Sequence, residues 1–236
     1  STPGYYNSSN EFLGIIDSVL EFSHAGGVVS QEINLSISGN SNDEIIRYTT
    51  DKSIPNGNSQ QFLNSIKINK TTIVRAKIFK DKFISSYDNS KSFIFDAKHS
   101  LNVVTLVTEP DNFFDENTGI YVYGKNASSN WPFYGANFWN DSEKPIQFSY
   151  YEKDNKLETE FNAGVKIFGG GSRANDQRSL SIFARNKYGV GEIDYPFFEN
   201  VSYDKFQAII LRNTGNDWLK ANMRDAAVSK LMQGSD

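Results

Sequence analysis

The chain has 236 residues and no cysteine, which excludes disulfides, thiolate metal sites and a cysteine nucleophile. Hydrophobic residues make up 38% and aromatics 14%, enough for packed cores, and a formal net charge of -4 spread over both signs offers neither a basic patch for nucleic acid nor a long acidic tail. His24 and His99 are too few for an all-histidine zinc site, and no apolar stretch reaches the roughly 20 residues that span a bilayer.

Residues 1–14 open with Ser1-Thr2-Pro3-Gly4-Tyr5-Tyr6-Asn7 and read as a linker, so the chain is expected to be a piece of a longer protein with any targeting signal upstream. Residues 28–37 alternate loosely and predict a strand, ended by Gly39-Asn40-Ser41-Asn42. Residues 44–50 predict a second. Asp51-Lys52-Ser53-Ile54-Pro55-Asn56-Gly57 is dense turn chemistry. Residues 71–79 alternate with period two, placing Val74, Ala76 and Ile78 on one face and Ile73 with its i+2 neighbours on the other. Residues 92–95 close the set. Short strands with turns and no helical pattern between them predict a β-sandwich over residues 15–96.

The same segment carries Tyr48-Thr49-Thr50-Asp51-x-Ser53-x-Pro55, then Ile66-x-Ile68-x-x-Thr71-Thr72-x-Val74-Arg75-Ala76-x-x-Phe79. In these residues it resembles the immunoglobulin-like module at the C-terminal end of chitobiases and β-hexosaminidases. The resemblance implies a non-catalytic accessory, either a spacer supporting a neighbour or a sugar binder. Asp51-Lys52 stands where that module usually has Asp-Gly, so the turn has to form without glycine.

Asp96-Ala97-Lys98-His99-Ser100 reads as the junction to a second domain over residues 97–236. Residues 101–107 form a β-branched apolar run, expected as a buried strand. Residues 109–119 predict a loop, followed by Ile120-Tyr121-Val122-Tyr123. An irregular aromatic stretch with Trp131, Phe133, Tyr134, Phe138 and Trp139 comes next; it fits core or lid packing, or an exposed platform for sugar rings. Residues 145–152, 163–168, 178–185 and 206–212 predict strands. Between two of them lies Gly169-Gly170-Gly171-Ser172-Arg173, which fits either a hairpin connection with positive-φ residues or a phosphate-approaching turn. Residues 216–233 predict the one helix, with Trp218, Leu219, Met223, Ala226, Ala227 and Leu231 as its apolar stripe. Asn213, Thr214 and Asn216 are candidate N-caps and Gly234 a candidate C-cap. Arg212, Asn213, Asp217, Arg224 and Asp225 gather there as a capping and ion-pair cluster or as a shell orienting a site. Asp111 and Asp115 are expected to cap turns.

This half also carries an ordered series of matches to the CotH kinase family, named for a spore-coat protein kinase. They include Leu101-x-Val103-Val104-x-Leu106-Val107-Thr108-x-Pro110-Asp111-Asn112-x-Phe114-Asp115, Thr118-Gly119-Ile120-Tyr121-Val122 and Gly164-Val165-Lys166-Ile167-x-Gly169-Gly170-x-Ser172-Arg173. Arg178-Ser179-Leu180, Phe183-Ala184-Arg185, Leu211-Arg212-Asn213-x-Gly215-Asn216-Asp217-Trp218 and Arg224-Asp225 continue the series. The resemblance implies a mainly β chain with an α+β second domain, the N-terminal part of a kinase-like fold. It further implies ATP with magnesium at Gly169, Gly170, Gly171, Ser172, Arg173 and Arg178, the last standing in the family's lysine position. The family's catalytic acids would follow Asp236, so the expectation is a chain that is inactive as cut, from a bacterial cell-surface or extracellular protein with a protein substrate. The alternative expectation is a non-catalytic scaffold that binds surface glycan. Neither involves nucleic acid or a membrane span.

Overall fold

The computed structural model describes residues 12–95, 101–198, 201–214, 217, 221, 223, 224, 227 and 228. The expected junction at residues 96–100 and most of the N-terminal linker lie outside these. The described residues fall into two compact units. The first comprises those up to Glu109 together with Gln147–Glu160, the second those of Pro110–Ile146 and from Phe161 onward.

In the first unit the strands run β1 (Gly14–Ile15), β2 (Glu21–Phe22), β3 (Gly27–Val29), β4 (Ile33–Leu35), β5 (Ile37–Ser38), β6 (Ile45–Thr49), β7 (Gln60–Gln61), β8 (Ile66–Ile68), β9 (Thr72–Phe79), β10 (Phe83–Ile84), β11 (Asn89–Phe95) and β12 (Val103–Val107). One sheet has the order β3-β11-β9-β6-β7, parallel between β3 and β11 and antiparallel elsewhere. The pairs β2–β5 and β4–β8 are antiparallel. Between the layers sits a core of Leu35, Ile37, Ile46, Ile66, Ile68, Val74, Ala76, Ile78 and Phe93. This is an immunoglobulin-like sandwich. As the alternation required, Val74, Ala76 and Ile78 are fully buried. The expected single strand over residues 28–37 is instead three short ones, β3, β4 and β5. Ser30, Gln31 and Glu32 interrupt it, and the chain changes partner from β11 to β8 across that break.

β13 (Lys144–Tyr151) pairs antiparallel with β12, from Val103↔Tyr151 to Val107↔Gln147. Gln147 is tied into the sandwich: its Oε1 accepts from the Ser90 amide at 2.8 Å, and its Nε2 donates to the Ser90 carbonyl at 3.2 Å. Asn155 in the following turn does the same for β3, accepting from the Val28 amide at 3.0 Å.

The second unit is mainly β. β14 (Leu157–Phe168) pairs antiparallel with β15 (Ser179–Phe183), from Gly164↔Phe183 to Phe168↔Ser179. After the short pair β16 (Ile193–Asp194) and β17 (Lys205–Phe206), β18 (Ala208–Leu211) adds to the other edge of β15. Ile182 and Ala184 are buried and Leu180 partly so. Glu143 collects Arg185 Nε at 3.0 Å, Lys187 Nζ at 2.8 Å and Tyr188 Oη at 3.0 Å.

The expected loop over residues 109–119 contains a short helix, α1 (Pro110–Phe114). Proline is favourable at a first helical position, where its missing N–H costs nothing. Asp115 ends the segment as expected, its Oδ1 accepting from the amides of Asn117 at 3.0 Å and Thr118 at 2.8 Å. The predicted helix over residues 216–233 lies largely outside the described residues, Trp218, Leu219, Ala226 and Leu231 included. Of what is described, the Ala227 amide donates to the Met223 carbonyl at 2.8 Å, a helical step. Asp217 Oδ2 accepts from the amides of Met223 at 3.0 Å and Arg224 at 3.1 Å, as a cap does. Arg224 Nε lies 2.9 Å from Asp217 Oδ1. The Asn213 amide and Oδ1 pair with Ser179 Oγ at 2.8 and 2.9 Å, and its Nδ2 donates to the Gln177 carbonyl at 2.6 Å.

Candidate functional site

Residues 169–178 close the hairpin between Phe168 of β14 and Ser179 of β15. Gly169 sits at φ +113, and a Cβ there would meet Ser172 Oγ at 2.5 Å, so this position requires glycine. Gly171–Ala174 form a single 3-10 turn. Gly170 is exposed, with nothing within 4 Å of where its Cβ would be, and a Cβ on Gly171 would come 3.8 Å from the Trp131 ring. The turn therefore has an open backbone face beside an aromatic residue.

The two arginines donate to main-chain carbonyls. Arg173 Nε donates to the Gly169 carbonyl at 2.5 Å and its Nη1 reaches the Phe138 carbonyl at 3.4 Å. Arg178 is buried, at 7% exposure. Its Nε donates to the Arg173 carbonyl at 2.7 Å, and its Nη1 lies 3.4 Å from the carbonyls of Tyr121 and Asp176. The guanidinium stacks 4.2 Å from the Phe138 ring and 4.8 Å from the Tyr121 ring. Burial pulls its pKa below the usual arginine range, and the tyrosines beside it act in the opposite direction. Arg178 thus donates to main-chain carbonyls of the turn and of Tyr121. It fastens the turn to the aromatic segment.

That segment carries the rest of the site. Phe138 is fully buried and packs edge-on to Tyr123 at 5.6 Å, while Phe133 meets Tyr123 at 5.0 Å. Trp139 Nε1 donates to the Pro132 carbonyl at 3.0 Å. Trp131 and Tyr134 remain 64% and 66% exposed. The sequence marked the glycine turn and both arginines; it gave no sign that Tyr121 and Phe138 would hold Arg178, because those partners lie far away along the chain. No group of three or more His, Asp or Glu side chains is placed to hold a metal ion among the described residues.

In the first unit, Arg75 on β9 is also buried, and its guanidinium makes four hydrogen bonds. Nε and Nη2 grip Asp88 Oδ2 at 2.9 and 2.6 Å, and Nη1 donates to Glu109 Oε1 at 2.8 Å and to the Lys52 carbonyl at 2.9 Å. Arg75, Asp51 and Ser53 are among the residues on which the module's resemblance rests. A family model described as the chitobiase/beta-hexosaminidase C-terminal domain matches residues 24–90. No curated protein and no solved structure matches the chain.

The first unit has a cleft of about 390 Å³. Phe22 forms an apolar wall, and Glu21, Asn89, Lys91 and Glu160 form a polar rim. Lys91 Nζ pairs with Glu160 Oε1 at 2.6 Å, and Glu160 Oε2 accepts from Ser149 Oγ at 2.9 Å. No helix among the described residues is long and apolar enough to cross a membrane.

Proposed function

We propose that this chain is part of a bacterial cell-surface or extracellular protein that engages surface carbohydrate, with the chitobiase-type module as a non-catalytic accessory. The observation that carries this reading is the match of residues 24–90 to a domain of carbohydrate-processing proteins. The module's best-buried charged group supports the accessory role. Arg75 is committed to Asp88, Glu109 and a backbone carbonyl, so it acts as a fastening rather than as a reactive cation. Cosedimentation tests the reading: the chain should be retained on at least one of insoluble chitin, cellulose or peptidoglycan, and not on polystyrene beads. Full recovery in the supernatant with all three polysaccharides would overturn it.

A second reading is favoured by one observation. Gly169, Gly170, Gly171 and Ser172 connect two antiparallel strands, with Arg178 entering the second, the order of parts on the nucleotide side of a kinase. On this reading the second unit is the N-terminal part of a CotH-type phosphotransferase-like domain that takes ATP and magnesium and acts on a protein. The carbonyls already around Arg178 weigh against it, since a guanidinium so engaged has few donors left for phosphate. Millimolar ATP with magnesium should raise the melting temperature if the reading holds; an unchanged melt sinks it.

A further inference from the structure

We propose that Trp131 and Tyr134 form a stacking platform for a neutral sugar chain, an inference that rests on the carbohydrate reading above and gives it a place on the molecule. Trp131 and Tyr134 are 64% and 66% exposed, and the Trp139 ring supports Tyr134 from 5.2 Å. The segment that displays them is rigidly built. The Ser128 amide donates to the Tyr134 carbonyl at 2.8 Å, the Phe133 amide to the Asn130 carbonyl at 2.7 Å and the Ala136 amide to the Phe133 carbonyl at 3.1 Å. Between the two exposed rings, Phe133 is held at φ 61, a conformation that bulky residues rarely adopt. Such backbone strain persists only where the surroundings over-determine it, and it concentrates at ligand clamps. Gly135 at φ +87 completes the bend, where any Cβ would strike the Asn126 carbonyl oxygen at 2.1 Å. Behind the platform, Arg173 and Arg178 brace the Phe138 carbonyl and ring. A pre-formed aromatic surface binds without an ordering cost, and Trp and Tyr give large contact area with few rotatable bonds.

The chemistry of the surroundings selects the ligand. From Asn126 to Asn140 the sequence contains no charged residue. Exposed Asn126, Ser129 and Asn130 flank the rings, and each side chain can both donate and accept. Gly170 and Gly171 leave open backbone next to Trp131. Apolar ring faces edged by uncharged hydrogen-bonding groups match a pyranose, which has C–H faces and an equator of hydroxyls. Nucleotides, acidic peptides and anionic lipid surfaces would each call for several free cations; the two nearest are engaged, Lys125 with Glu116 and Arg173 with the carbonyls of Gly169 and Phe138.

The test uses the whole chain on whichever insoluble polysaccharide retains it, with N-acetylchitotriose and cellotriose as soluble probes. Trp131→Ala and Tyr134→Ala should each weaken retention about tenfold or more, while Lys91→Ala in the first unit's cleft leaves it unchanged. In the unsubstituted chain the soluble trisaccharide should shift the Trp131 indole N–H resonance, a measurement that needs no variant to fold. Undiminished retention by both alanine variants, or loss in Lys91→Ala alone, overturns the platform and leaves the carbohydrate reading standing. Retention that only a protein-coated surface supports also overturns it, in favour of a protein partner. If no polysaccharide retains the parent chain, platform and carbohydrate reading fall together.

Discussion

Arg75 Nη1 donates to the main-chain carbonyl of Lys52 at 2.9 Å, so a buried cation is bonded to a residue whose backbone does not suit its side chain. Lys52 lies at φ 76, the left-handed region in which glycine is at home. Asp51 Oδ1 accepts from the Ser53 amide at 3.1 Å and hydroxyl at 2.6 Å, and Thr49 Oγ1 donates to the Ser53 carbonyl at 2.5 Å. Side-chain hydrogen bonds on both flanks, with Arg75 pulling from below, therefore impose a glycine conformation on a lysine.

Lys52→Gly should stabilise the first unit. The steric cost of the left-handed conformation is about 1–2 kcal/mol, and the greater freedom of glycine in the unfolded chain returns part of it. The net gain expected in urea unfolding is about 0.5–1 kcal/mol. A loss of stability would mean that the lysine stem contributes packing that outweighs the strain.

Removing the guanidinium should do the reverse. Arg75→Met leaves Asp88 and the Lys52 carbonyl without their donor. Asp88 and Glu109 keep 24% and 37% side-chain exposure, so water recovers part of the loss. The expected cost is about 2–3 kcal/mol, below that of a fully buried pair. Arg75→Lys cannot reproduce four hydrogen bonds and should cost about 1–2 kcal/mol. Equal stability of the lysine variant and the parent would show that charge alone suffices at this position.

Arg178→Met should destabilise the second unit by about 2–4 kcal/mol, because it removes the stacking on Tyr121 and Phe138 and frees the carbonyl of Arg173. Lysine there keeps the charge but loses the planar stack, so Arg178→Lys should also be weaker than the parent. Denaturant midpoints decide the matter: two variants as stable as the parent would show that the guanidinium is not a structural prop.

Alkaline pH should loosen the first unit through Tyr151. Its hydroxyl is pushed up to about 12, chiefly by burial and then by the charge of Glu160. The ring is fully buried, and Oη donates to the Ala25 carbonyl at 3.1 Å. The folded state favours the neutral phenol, so the stabilisation is complete below the unfolded value near 10 and is lost as pH rises from about 10 towards 12. Its size is about 2–3 kcal/mol. Tyr151→Phe should lose about 1 kcal/mol at neutral pH with the hydrogen bond, yet show a shallower fall in stability across that window. An equally steep fall in the phenylalanine variant would assign the effect to other groups.

What the sequence determined by itself is local. The alternation of Val74, Ala76 and Ile78 dictated a strand with one buried face, and the turn residues 51–57 dictated a reversal, because side-chain period and backbone preference are properties of a few consecutive residues. The sandwich of the first unit was legible for that reason. So was the glycine-rich connection from Gly169 to Ser172, since φ +113 at Gly169 excludes other side chains. The tertiary structure decided what no short window contains. It divided residues 28–37 among three strands by giving them different partners. It joined Lys91 to Glu160 and Ser90 to Gln147, pairs separated by more than fifty residues. It set the Arg178 guanidinium against the rings of Tyr121 and Phe138. A buried guanidinium must find carbonyls and ring faces wherever the packed chain happens to bring them, and only the folded arrangement fixes where that is.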